Sequence, residues 1–158
     1  MDVALDIKEK LGEMWLVNIY RDKIRTLRTR AYRLDIPERE NSLEIQHTLL
    51  GVELKVGNIR LACPDLSTAR YLQVFARFGC QEIAVPYDIT KISTLADELE
   101  SSWQRILLLF NEATVDKFAS AKGRVRSGLI KDIRSELDKI GAGEKMPEFK
   151  QTTKQRVN

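Results

Sequence analysis

The chain has 158 residues, 43% of them hydrophobic and 31% charged, with a net charge of +3. That length suits one domain with a core built without disulfides or metal, and its longest aliphatic and aromatic run, "ILLLF" at 106–110, falls far short of the ~20 apolar residues of a membrane span. The start "MDVALDIKEK" lacks a signal peptide's basic tip and unbroken apolar stretch, and Cys63 and Cys80 fit neither a disulfide framework nor a four-ligand zinc pattern; both points favour a reducing cytoplasm, with the thiols as small core residues.

From residue 6 to about 34 there is no proline, and Gly12 is the sole glycine. Leu16, Tyr20, Ile24 or Lys23, Leu27, Ala31 and Leu34 recur every three or four positions, which predicts one long amphipathic helix. Its other faces carry Arg21, Lys23, Arg25, Arg28, Arg30 and Arg33 against a single Asp22, and Pro37 ends it by pushing Ile36 out of the helical region.

The stretch 42–63 alternates instead. Leu43, Ile45, His47 and Leu49 share one face and Glu44, Gln46 and Thr48 the other; after Gly51, Val52, Leu54 and Val56 oppose Glu53 and Lys55. Gly57-Asn58 makes a two-residue hairpin turn that sets Val56 beside Ile59, Leu54 beside Leu61 and Val52 beside Cys63, with Glu53 facing Ala62 and Lys55 facing Arg60. His47, on the inward phase, reads as a hydrogen-bonded core or rim histidine in preference to a base or ligand.

Residues 63–80, "CPDLSTARYLQVFARFGC", read as a strand end, a cap at Asp65 or Ser67, a helix buried through Leu66, Ala69, Leu72, Val74, Phe75 and Phe78, and a stop at Gly79. "QEIAVPYDI" follows as a short strand covered on both faces, and a right-handed crossover would set 82–86 parallel to 59–63. Further amphipathic helices begin at Thr90, with Leu95, Leu99, Trp103, Ile106, Leu107 and Phe110, and span about 124–140, ending at Gly141. The expected fold is α/β: an αβββαβ core with a four-stranded mixed sheet flanked by long amphipathic helices. Residues 1–140 form a single domain in this reading, and 141–158 a flexible basic C-terminal tail.

Two features bear on function. The three residues "ELK" at 53–55 and the helix-to-strand join "STARYLQVFARFGCQEIAVPYD" at 67–88 resemble the core of the PD-(D/E)xK nuclease superfamily, most of all the small archaeal Holliday-junction resolvases. The resemblance spans about 50 residues and implies a magnesium-dependent nuclease in which Glu53 and Glu44 hold the metal and Glu53 and Lys55 form the catalytic pair. A hard cation takes oxygen ligands, lowers the pKa of bound water and offsets charge on the phosphate. Two departures stand out: the family's aspartate one strand earlier has only Glu40 and Glu44 as counterparts, and the Gly57-Asn58 hairpin puts "ELK" on the second strand where the family has it on the third. The same residues are also what the solvated face of an ordinary antiparallel sheet would carry.

The second feature is charge. Residues 1–35 carry eight basic and six acidic groups, 36–115 seven and eleven, and 116–158 eleven and six. Basic flanks around an acidic middle suit a binder of DNA or RNA backbones, with Arg21, Arg25 and Arg28 as a row tracking phosphates; they equally suit an ordinary protein with a solvated basic tail and a helix whose arginines pair with acids at 97–100 or 132–138. The leading expectation is therefore a cytoplasmic nucleic-acid-associated protein on a nuclease-like core; the alternative is a non-enzymatic interaction or assembly protein, homodimeric or bound to another chain, that uses its long amphipathic helices.

Overall fold

The computed structural model describes residues 2–143; the tail expected from residue 141 lies outside the described residues from 144 onward. Helix α1, Val3–Leu11, is capped by Asp2, whose carboxylate accepts from the Ala4 and Leu5 amides, and it stops at Gly12, which adopts φ +55°. A 3-10 turn leads to extended Trp15, and α2, Leu16–Ile19, runs straight into a π-helical turn, Tyr20–Ile24. The single long helix is thus interrupted at residue 12 and finished by residue 24. Residues Thr29–Arg33 form strand β1 instead. Five residues are too few to separate a period of two from one of 3.6, and here long-range pairing decides the outcome.

Strands β2 (Leu43–Thr48), β3 (Gly51–Val56) and β4 (Ile59–Cys63) form an antiparallel meander. The Gly57-Asn58 turn and its register stand as read from the sequence, Val56 opposite Ile59, Leu54 opposite Leu61 and Val52 opposite Cys63. The β2–β3 turn differs. It falls at Leu49-Leu50, because pairing Leu43 with Val56 and Ile45 with Leu54 on the buried face brings Thr48 opposite Gly51. Leu49 is therefore a turn residue and not part of a buried face, and His47 is exposed at the strand's outer end, not a core or rim group.

Helix α3, Leu66–Arg77, starts at Asp65, whose carboxylate accepts from the Thr68 amide, and packs its apolar side on the meander. Strand β5, Glu82–Pro86, does not run parallel to β4. It pairs antiparallel with β1, Thr29 opposite Pro86 and Arg33 opposite Glu82, so the four-stranded mixed sheet is replaced by a three-stranded and a two-stranded antiparallel sheet. The strand at 29–33, hidden in the sequence by its helix-like spacing, supplies β5 with its partner. Amides of Tyr87 and Leu34 extend this ladder to the carbonyls of Arg28 and Gln81.

After a short 3-10 turn, α4 (Ile92–Ala113) and α5 (Ala119–Ile140) complete the chain. Their apolar stripes, Leu95, Leu99, Trp103, Ile106 and Phe110 on one and Leu129, Ile133 and Leu137 on the other, are buried in one continuous core with residues of β3 to β5 and α1 to α3, against which Tyr32 of β1 and Leu43 and Ile45 of β2 pack. Polar ties hold the layers in place. Arg70 of α3 forks onto Glu100 of α4 (2.7 and 3.1 Å) and also meets Asp97, Arg126 of α5 forks onto Glu40 (2.6 and 2.9 Å), and Ser102 donates to the Met14 carbonyl at 2.6 Å. No helix among the described residues is long and apolar enough to cross a membrane.

Candidate interaction surfaces

The residues singled out by the nuclease resemblance lie on the outward face of the meander, because β3 alternates Leu54 and Val56 inward with Glu53 and Lys55 outward. Glu44 stands opposite Lys55, Gln46 opposite Glu53, and Lys55 opposite Arg60. Glu44 and Glu53 are thus diagonal neighbours, and the Glu53 carboxylate already accepts from Arg60 Nη1 at 3.0 Å. Beside Glu44 and Lys55 there is a shallow hollow of about 170 Å³. Among the described residues, no three of His, Cys, Asp and Glu gather where a metal could sit. The face can exchange charge pairs with a neighbour; two carboxylates, one held by an arginine, are a thin ligand set for a hard cation.

The three arginines expected to track phosphates have three different environments. Arg21 turns back onto its neighbour Asp22 (2.9 and 3.1 Å). Arg25 is half-buried: its Nη1 donates to Thr29 Oγ1 at 3.0 Å, its buried Nε has no acceptor among the described residues, and Gly143 lies so close to the guanidinium that a Cβ there would overlap it. Arg28 alone of the three reaches solvent without a carboxylate among the described residues, with its guanidinium 4.9 Å from the centre of the Tyr87 ring. The π turn ends the helix before a row can form. What the sequence did not disclose is that the β1–β5 ladder brings aromatics to these cations, Tyr87 to Arg28 and, along β1 itself, Tyr32 to Arg30 at 5.8 Å.

A third region is the groove of about 380 Å³ between α3 and α4, lined by Gln73, Arg77, Glu100, Ser101, Trp103 and Gln104. Arg77 stacks on Trp103 at 5.5 Å, and burial lowers its pKa. The acids on this wall are already engaged by Arg70.

Comparison with protein-family profiles, curated proteins and solved structures gives no match. The most unusual chemistry is apolar: Leu49 and Leu50, at the tip of the β2–β3 hairpin, are 105% and 100% exposed, and Val115 and Phe118, between α4 and α5, are 81% and 84% exposed. The strand alternation had placed Leu49 inward. The signal that could have found the tip is "TLLG", two residues framed by a threonine and a glycine that closes a turn, since Thr48 Oγ1 bonds both the Leu50 amide and the Gly51 carbonyl.

Proposed function

We propose that this chain is a non-enzymatic interaction protein that holds a protein partner, a second copy included, through apolar side chains carried outside its core. The observation that carries the reading is the pair Leu49-Leu50. Burying each leucine in a partner gains about 1.5–3 kcal/mol, and a tight hairpin presents both at little entropic cost. The long helices are not the contact surface on this reading, because their apolar stripes are used by the chain's own core.

Two measurements test it. Sedimentation over a concentration series should show a mass that rises above the monomer in the natural chain and stays monomeric in the Leu49→Ser, Leu50→Ser variant with its melting temperature kept. A monomeric natural chain at every concentration excludes the second copy as partner. Binding of an apolar fluorescent dye should fall in the same variant; unchanged binding overturns the apolar surface itself.

A second reading, association with DNA or RNA, is favoured by the Arg28–Tyr87 and Arg30–Tyr32 pairs, which combine cation and ring as backbone-tracking proteins do. It requires retention on a generic duplex that falls steeply with salt and weakens in Arg28→Ala. Magnesium-dependent cutting lost in Glu53→Ala and Lys55→Ala would establish the nuclease reading.

A further inference from the structure

The two edges of the β1–β5 sheet are finished differently. At Ala84, in the middle of β5, the amide donates to Tyr20 Oη (2.9 Å) and the carbonyl accepts from Tyr71 Oη (2.6 Å). Both groups therefore point away from β1, and in an antiparallel ladder the facing residue Ala31 must likewise direct its N–H and C=O away from β5. The alternation extends to Thr29 and Arg33, and it agrees with Pro86, opposite Thr29, which has no N–H to give. The Tyr87 and Leu34 amides, bonded to Arg28 and Gln81, mark the complementary set of pairs. On β5 the outer edge is closed by buried hydroxyls. On β1 the outward backbone groups of Ala31 and Arg33 find no backbone partner among the described residues, and β5 is the one element packed extensively along the strand.

We propose that the open edge of β1 takes up an extended acidic segment of a partner protein as a third strand of this sheet. An edge strand offers alternating donors and acceptors that only another extended backbone satisfies, which is why peptide is preferred to nucleic acid here. Charge sets the class of peptide. Arg28 and Arg30 project on one face of the strand and Arg33 on the other, all three exposed, and among the described residues only Arg33 of these has a carboxylate nearby, Asp35 at 3.9 Å. Carboxylates two residues apart on an incoming strand would meet Arg28 and Arg30 together, whereas a basic strand is repelled. The chain's own residues 144–158 carry four basic and two acidic groups, so they are the wrong sign for the edge. This inference uses a surface separate from Leu49-Leu50 and stands or falls independently of it.

The probe is a blocked peptide of alternating glutamate and threonine, with its lysine counterpart as control, added to the full-length chain. The glutamate peptide should bind, slow hydrogen exchange at the Ala31 and Arg33 amides, and lose about tenfold or more in affinity in Ala31→Pro, which removes an outward N–H without touching the β1–β5 ladder. Arg28→Glu with Arg30→Glu should invert the preference toward the lysine peptide, and this variant decides the matter if the proline variant fails to fold. The proposal is overturned if both peptides bind alike, if Ala31→Pro binds as the natural chain does, or if those amides are already protected in the chain alone. It is overturned too if a generic duplex displaces the peptide and Ala31→Pro leaves the duplex affinity unchanged while the charge reversal abolishes it.

Discussion

Tyr20 and Tyr71 show how much of the architecture rests on two hydroxyl groups. Besides accepting from Ala84, Tyr20 Oη donates to the Gly141 carbonyl at 2.9 Å, joining β5 to the end of α5. Tyr71→Phe leaves the buried Ala84 carbonyl without its donor and should cost about 1–3 kcal/mol in denaturant unfolding. Tyr20→Phe should cost at least as much, since it orphans a donor and an acceptor together. Burial disfavours both phenolates, pushing Tyr20 up to about 12 and Tyr71 upward as well. An unfolded phenol titrates near 10, so the stabilisation is complete below that pH and is lost as pH climbs through the folded value. Unfolding midpoints should therefore drop between about pH 10 and pH 12, with a shallower slope in Tyr20→Phe; identical slopes would contradict the assignment. Cys80, its thiol pushed up to about 12 by burial, adds a loss that begins near pH 8.5. At this scale the sequence was informative about direction and silent about company. It placed Glu53 and Lys55 on one strand face with Arg60 opposite Lys55, but only the structure shows the Arg60 guanidinium reaching diagonally to Glu53.

Among the elements, α3 is the one whose two ends were both legible. Asp65 caps its start, and Gly79 follows its end at φ +79°. There a Cβ would run into the Arg39 backbone, because the segment after β1 passes directly over the glycine. Gly79→Ala should destabilise by more than the ~1 kcal/mol of a simple left-handed alanine, about 2–4 kcal/mol once backbone must shift, measurable as a lowered melting temperature. A loss under 1 kcal/mol would mean that the loop yields easily. That segment is itself organised by Asn41, whose side-chain amide donates to the Pro37, Arg39 and Ala76 carbonyls. The β3–β4 hairpin was legible too, since a Gly-Asn turn and a strict period of two fix it locally, whereas the β2–β3 turn at Leu49-Leu50 was read as strand. The length of the first helix, β1, and the partner of β5 were not. Residues 27, 31 and 34 match a helical stripe, yet 29–33 becomes a strand because β5 offers it a ladder, and nothing within five residues encodes a partner fifty positions away.

For the molecule as a whole, Phe75 is the meeting point. Its ring lies 5.4 Å from Tyr20 and 5.3 Å from Tyr71, so it joins the π turn after α2, α3 and the closed edge of β5. Phe75→Ala should cost about 3–5 kcal/mol and shift every spectroscopic probe together. In the natural chain, fluorescence from the buried Trp15, just ahead of α2, and Trp103 of α4 should change at the same denaturant concentration as far-UV circular dichroism, because one cluster of side chains links all layers. Two separated transitions would show that the meander and the helices melt apart.

The tyrosine seal on β5 has a consequence for self-association. Stacking copies of this two-stranded sheet into an indefinite fibre requires each subunit to be bivalent, with a strand ready on either flank. Here one flank is plugged from inside the protein. Through this sheet a copy is monovalent, and since its one free flank carries arginines that repel a second β1, any strand it takes up ends the sheet there and no fibre grows along it.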